Sequence, residues 1–195
     1  MSASPQTHGA TAAAGAGPAS SRVTVVETLR AAIVAQDGGD VARAEALCRA
    51  VLAVAPRRHD ALTLLGSLRR QAGEPGEAAE LYRAAIAAAP HYPDAHHNLG
   101  NLLFAEGDTE GALDCYLRAN SLRADWPEGC NRVAATLHAL GRFAEAEPWF
   151  RRALALRPDC ADFHWDHALA LLAEGRYAEG WRAYEWRWRR RQPSA

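Results

Sequence analysis

Four glycines stand at equal steps of 34 residues: Gly73, Gly107, Gly141 and Gly175. Aromatic side chains keep the same interval at Tyr82, Tyr116, Phe150 and Tyr184, and so do small ones at Ala78, Ala112 and Ala146, with Gly180 next in line. Pro56, Pro90 and Pro158 close the steps, Ala124 standing once for proline. A fixed period of this length means that each unit buries its apolar face against its neighbours, so the chain folds as an array and needs no single central core.

The clearest copy is 93–126. Apolar residues recur at three- and four-residue spacing on both sides of Gly107, which predicts two antiparallel helices over 94–106 and 109–122. Gly107 suits the left-handed conformation that ends a helix, and Asp108 is placed to accept amide bonds at the start of the next. Asp40 after Gly39 repeats this device, and Glu74 after Gly73 is a weaker version. Gly66, Gly100 and the alanines at 78, 112 and 146 mark places where two helix backbones approach, while Tyr82, Tyr116 and Phe150 fill the space between units. Cys48 takes the ring place in the first unit and reads as a small buried apolar residue. Glu45 with Arg49, Asp114 with Arg118 and Glu147 with Arg151 are spaced for surface ion pairs. Pro148 falls early in its helix, where it predicts a bend and not a break.

The 22 basic and 23 acidic side chains leave a formal charge of −1, which argues against a general nucleic-acid or anionic-membrane binder. Cys48, Cys115, Cys130 and Cys160 show no CxxC spacing, which points to a reducing, cytoplasmic compartment. No apolar run is long enough for a membrane helix. Residues 1–21, rich in Ala, Gly, Ser and Pro, read as a disordered leader and lack the pattern of a signal peptide. No catalytic constellation, phosphate loop or cofactor motif is present in the sequence, and the expected cofactor and metal content is none. His96 and His97 are adjacent and diverge on a helix, while His164 and His167 lack a third ligand at a recognised spacing.

Leu99, Gly100, Ala112, Tyr116 and Ala119, with NLGNL at 98–102, resemble the signature of the tetratricopeptide repeat (TPR) family. The resemblance covers 25–194 as five units, 25–58, 59–92, 93–126, 127–160 and 161–194, the outer two degenerate, within an array over 22–192 and a tail over 193–195. It implies an all-α right-handed solenoid of about five helix-turn-helix repeats whose first helices line a concave groove. Carried over by motif place, the groove residues are Asp60, Thr63, Ser67 and Arg70, then Asp94, His97, Asn101 and Phe104. Glu128, Asn131 and His138 follow, and then Asp162, Trp165 and Leu172. Asp60, Asp94, Glu128 and Asp162 form an acidic line that either favours a basic ligand or simply offsets helix dipoles. The carboxylate clamp of chaperone-binding members is not matched, since Asp162 and Asp166 occupy its later places. One asparagine rung at Asn98 does not make the ladder of O-linked N-acetylglucosamine transferase, because Arg30, Leu64, Arg132 and Asp166 hold the equivalent places.

GWRAYEWRW at 180–188 is similar to the last repeat of bacterial proteins in which such an array runs into a glycosyltransferase-like domain. Trp181, Tyr184 and Trp188 are spaced as one helical stripe, with Arg182, Trp186, Arg189 and Arg190 around it. This helix is expected to serve as a cap, as a docking face, or as a nucleic-acid or membrane contact. The functional expectation is a non-catalytic scaffold for a peptide or partner domain. The alternatives are a substrate-recruiting arm without its catalytic domain, and a self-associating assembly protein.

Overall fold

A computed structural model describes residues 18–189. The ten α-helices among them are α1 (Pro18–Asp37), α2 (Val41–Val54), α3 (His59–Gln71), α4 (Pro75–Ala88), α5 (Pro93–Ala105), α6 (Thr109–Leu122), α7 (Pro127–Ala139), α8 (Phe143–Leu156), α9 (Ala161–Ala173) and α10 (Tyr177–Tyr184). A short 3-10 helix, Glu185–Arg189, follows, and no strand occurs among the described residues. Consecutive helices pair as hairpins, and each hairpin packs on the next, so contacts run along the chain from neighbour to neighbour. α1 begins at Pro18, inside the stretch expected to be a leader, because proline is pre-set for a helix's first position. Residues 1–17 and 190–195, Arg190 among them, lie outside the described residues.

The loop between α5 and α6 shows why the period is punctuated by glycine. Gly107 adopts φ 88°, its N–H donates to Phe104 O, and the Asp108 N–H donates to Leu103 O at 2.9 Å. These bonds use up the last carbonyls of α5, and a side chain at φ 88° would be strained. The Asp108 carboxylate then accepts the Gly111 N–H at 3.0 Å, capping α6. Asp40 does the same for the Arg43 N–H, whereas Glu74 makes no cap and bonds Arg69 instead. Pro148 leaves α8 continuous from Phe143 to Leu156. Glu45–Arg49 and Glu147–Arg151 close as ion pairs, while Asp114 and Arg118 do not.

The core is built on a column of rings, one in each of the three middle hairpins. Tyr82, Tyr116 and Phe150 are at most 2% exposed, and Cys48 fills the same place in the first hairpin at 0%. Ring and partner are matched in size. A Cβ on Gly100 would sit 2.8 Å from the Tyr116 ring, and one on Gly66 would sit 2.7 Å from that of Tyr82. The close approach inferred from these glycines is therefore helix to ring and not backbone to backbone. Where the ring is Phe150 or the side chain is Cys48, the facing residue is Ala134 or Ala32.

α8 packs more loosely on α9 than the second helix of each earlier hairpin does on the next, and charge stands in for part of the apolar packing there. Glu147 on α8 meets His167 Nε2 of α9 at 3.0 Å, Arg176 at 3.4 Å and Arg151 at 2.9 Å. His167 also stacks on Phe150, ring centres 5.0 Å apart.

Candidate functional site

The first helices of the hairpins form one layer, α3 meeting α5 and α7 meeting α9. Most residues expected in a groove lie on this layer, but several are committed inside the chain. Thr63 is 5% exposed and donates its hydroxyl to His59 O, and Asn131 is 5% exposed with its amide donated to Asp166 Oδ2 at 2.6 Å. Asn101 accepts the Tyr116 hydroxyl at 2.8 Å, and Ser67 shares a 3.2 Å bond with the Tyr82 hydroxyl. Both therefore serve the buried rings. Trp165 stacks against Tyr184 at 4.9 Å, while Arg70 is exposed and Phe104 is 39% exposed.

The fourth hairpin breaks this rule, and a hollow results. Phe150 has no hydroxyl, and the place held by Ser67 and Asn101 is held by Ala135. The space left over Phe150 opens as a cavity of about 400 Å³, walled by Phe104 of α5, Arg132 and His138 of α7, and Asp166 and Leu169 of α9. Phe104 and His138 were expected in the groove, and Arg132, Asp166 and Leu169 were not. The signal that would have found them is the simultaneous loss of a ring hydroxyl and its partner in one repeat.

Three buried polar atoms on this layer have no partner within the chain: His97 Nδ1, Asn131 Oδ1 and His138 Nε2. His97 lies 4.4 Å from the Trp126 ring and 5.5 Å from Tyr116. Burial, aided by the Arg132 charge, pushes its pKa down to about 4. His138 sits 4.9 Å from Phe143.

Much of the acidic line is spent on the fold. Arg123 holds Asp94 at 3.0 Å and Arg157 holds Glu128 at 2.5 Å, each joining the start and end of one hairpin. Arg58 grips Asp60 through two bonds of 2.7 and 2.8 Å. Burial raises the Asp60 carboxyl, but these bonds outweigh it and leave it below the ordinary carboxylate range. The histidines considered as metal ligands are similarly occupied. His96 and His164 bond the carbonyls of Pro90 and Pro158 at 3.0 and 2.7 Å, and His167 is bound to Glu147. Among the described residues no three His, Cys, Asp or Glu side chains converge as metal ligands.

The C-terminal segment differs from the single striped helix expected. α10 stops at Tyr184, and tighter 3-10 winding carries Trp186 onto His164, rings 3.9 Å apart and 10° from parallel. Arg189 lies over the same Trp186 ring, 4.4 Å from its centre. Trp181 and Trp188 are 57% and 76% exposed, Trp181 edge-on to Tyr184 and Trp188 under the Arg187 guanidinium. Arg182 is exposed as well. Trp186→Ala is therefore expected to cost about 1–2 kcal/mol and Trp181→Ala under about 0.5 kcal/mol. Paired urea melts giving the reverse order would show that the His164 stack does not hold this end.

The sequence matches the tetratricopeptide repeat family model over residues 29–93 and 136–195, and a second model of the same description over 69–129. Together these span well over half of the chain. No curated protein matches it significantly. Among solved structures, PilF of Pseudomonas aeruginosa has a TM-score of 0.80 at 20% identity, over 89% of this chain and 79% of its own. YrrB, described as a TPR protein with an unusual peptide-binding site, gives 0.68 at 18% identity, over 83% and 84%. An O-GlcNAc transferase mutant of Thermobaculum terrenum is 37% identical over 60% of this chain, which corresponds to 23% of the enzyme chain, with a TM-score of 0.58.

Proposed function

Because this chain belongs to the tetratricopeptide repeat family, we propose that it is a non-catalytic scaffold that holds an extended segment of a partner protein in the groove of α5, α7 and α9. The observation behind this reading is the hollow over Phe150, whose walls come from α5, α7 and α9 together. YrrB offers a parallel, since it too is described as binding a peptide. Three of the four thiols are poor nucleophiles: burial pushes Cys48 and Cys115 up to about 11, and Cys130 upward as well. Such buried thiols suit a reducing, cytoplasmic setting. No helix among the described residues is long and apolar enough to cross a membrane.

Selection of a random peptide display library on the full chain tests the groove. Enriched peptides are expected to lose at least about tenfold in affinity on Ala135→Trp, which fills the hollow, and to be indifferent to Arg182→Ala. Peptides that bind Ala135→Trp undiminished would move the site off this layer.

A second reading takes this array as an arm that presents substrate proteins to a glycosyltransferase-like domain, and rests on the 37% identity with part of the transferase. A reading frame that continues past Ala195 into an α/β domain supports it, and a stop codon there removes it.

A further inference from the structure

We propose that the hollow over Phe150 is a socket for one aromatic side chain with a hydrogen-bond donor at its edge, tyrosine or tryptophan, carried by the bound segment. This rests on the peptide-groove reading and names the chemistry of its anchor. The floor and one wall are apolar, formed by Phe104, Phe150 and Leu169, and about 400 Å³ is more space than an aliphatic side chain fills. The rim carries one cation and one anion, Arg132 and Asp166. A rim with a charge of each sign matches neither a strongly basic nor a strongly acidic occupant, and the neutral residues that join an apolar body to a polar edge fit it best.

Arg132 supplies the second argument. Its guanidinium is exposed, and no hydrogen bond, ion pair or ring contact to it is formed among the described residues. Five other arginines, Arg123, Arg152, Arg157, Arg187 and Arg189, lie within 6 Å of aromatic ring centres. Arg132 lines the hollow, and a bound aromatic side chain would give its guanidinium a ring face. Asp166 on the facing wall is an acceptor for the phenol or indole donor.

The socket is also particular to one repeat. Asn101 occupies the corresponding place in the third hairpin and Ser67 in the second, so only the fourth combines Ala135 with a ring lacking its hydroxyl. The expected register is thus a single aromatic anchor, with the flanking backbone lying over Asn131 and His138.

The test uses the peptides that bind in a manner lost on Ala135→Trp. They are expected to share one fixed Tyr or Trp, to lose about tenfold when it is changed to Leu, and to weaken about threefold or more on Arg132→Gln. Ala135→Asn, which copies the third hairpin, is expected to abolish the aromatic preference. Circular dichroism melts check that all three protein variants remain folded, as their partly or fully exposed positions lead one to expect. Groove-dependent peptides without a fixed aromatic, or with a fixed acid or base in its place, would overturn the socket and leave the groove standing. If no peptide depends on Ala135, the groove reading falls and the socket falls with it.

Discussion

Tyr116→Ala is expected to destabilise the chain by about 3–5 kcal/mol, a large share of what a domain of this size has to lose. The ring is 1% exposed and belongs to a cluster with Val133, Ala134 and Leu137 of the following hairpin, so one truncation opens a void across two repeats. It also strands Asn101, whose Oδ1 accepts the Tyr116 hydroxyl at 2.8 Å. Tyr116→Phe removes only that bond and is expected to cost about 1 kcal/mol. Gly100→Val attacks the same contact from the other side, since even a Cβ would stand 2.8 Å from the ring, and overpacking of this kind costs about 1–3 kcal/mol. Urea melts ranking the three as Tyr116→Ala, Gly100→Val, Tyr116→Phe would bear out the ring column. A Tyr116→Ala chain as stable as the Phe variant would mean that the seam is held elsewhere.

Acid is expected to weaken the fold in two separate windows. His97 is held at about 4 by burial, against 6.5 ordinarily. Between those values the unfolded chain takes up a proton that the folded chain refuses, so stability falls as the pH drops from about 6.5 to about 4. The loss is about 2–3 kcal/mol. Glu147 acts lower. Burial raises its carboxyl, but the His167 bond and the charges of His167, Arg176 and Arg151 more than reverse this, leaving it below the ordinary range. Its contribution is present above the ordinary carboxylate pKa and is lost only as the pH falls through the depressed folded value. Stability against pH for wild type and His97→Phe separates the two: the variant should lose the slope above about pH 4 and keep the one below. An unchanged slope in the variant would show that His97 is hydrated in solution.

The period was legible because every 34-residue step repeats a physical requirement. Gly107 ends a helix in a conformation other residues resist, Asp108 caps the next helix, and Tyr116 needs Gly100 opposite it. Each requirement is local, so its sequence mark is local. The candidate site was less legible for the opposite reason. Whether Asn101 or Asn131 faces a ligand or an internal partner depends on a residue far along the chain, Tyr116 for one and Asp166 for the other. Motif place alone cannot distinguish them. The acidic line carried the same ambiguity until Arg123 and Arg157 were found across their hairpins. The terminal stripe of Trp181, Tyr184 and Trp188 misled because helical spacing presumes a neighbour to bury against, and Trp181 and Trp188 stay mostly exposed among the described residues.

The sparse seam between α8 and α9 gives the molecule a built-in point of fraying. In a linear array the end unit can peel away without disturbing the middle, and it does so most easily where its junction is weakest. The peeling unit here carries Asp166 and Leu169, two walls of the hollow, while Phe104, Arg132 and Phe150 stay behind. Attachment of the last hairpin and completion of the hollow are therefore one equilibrium. An occupant bridging both sides acts as a rivet: it tightens the end of the array by as much free energy as closing the end lends to its own affinity.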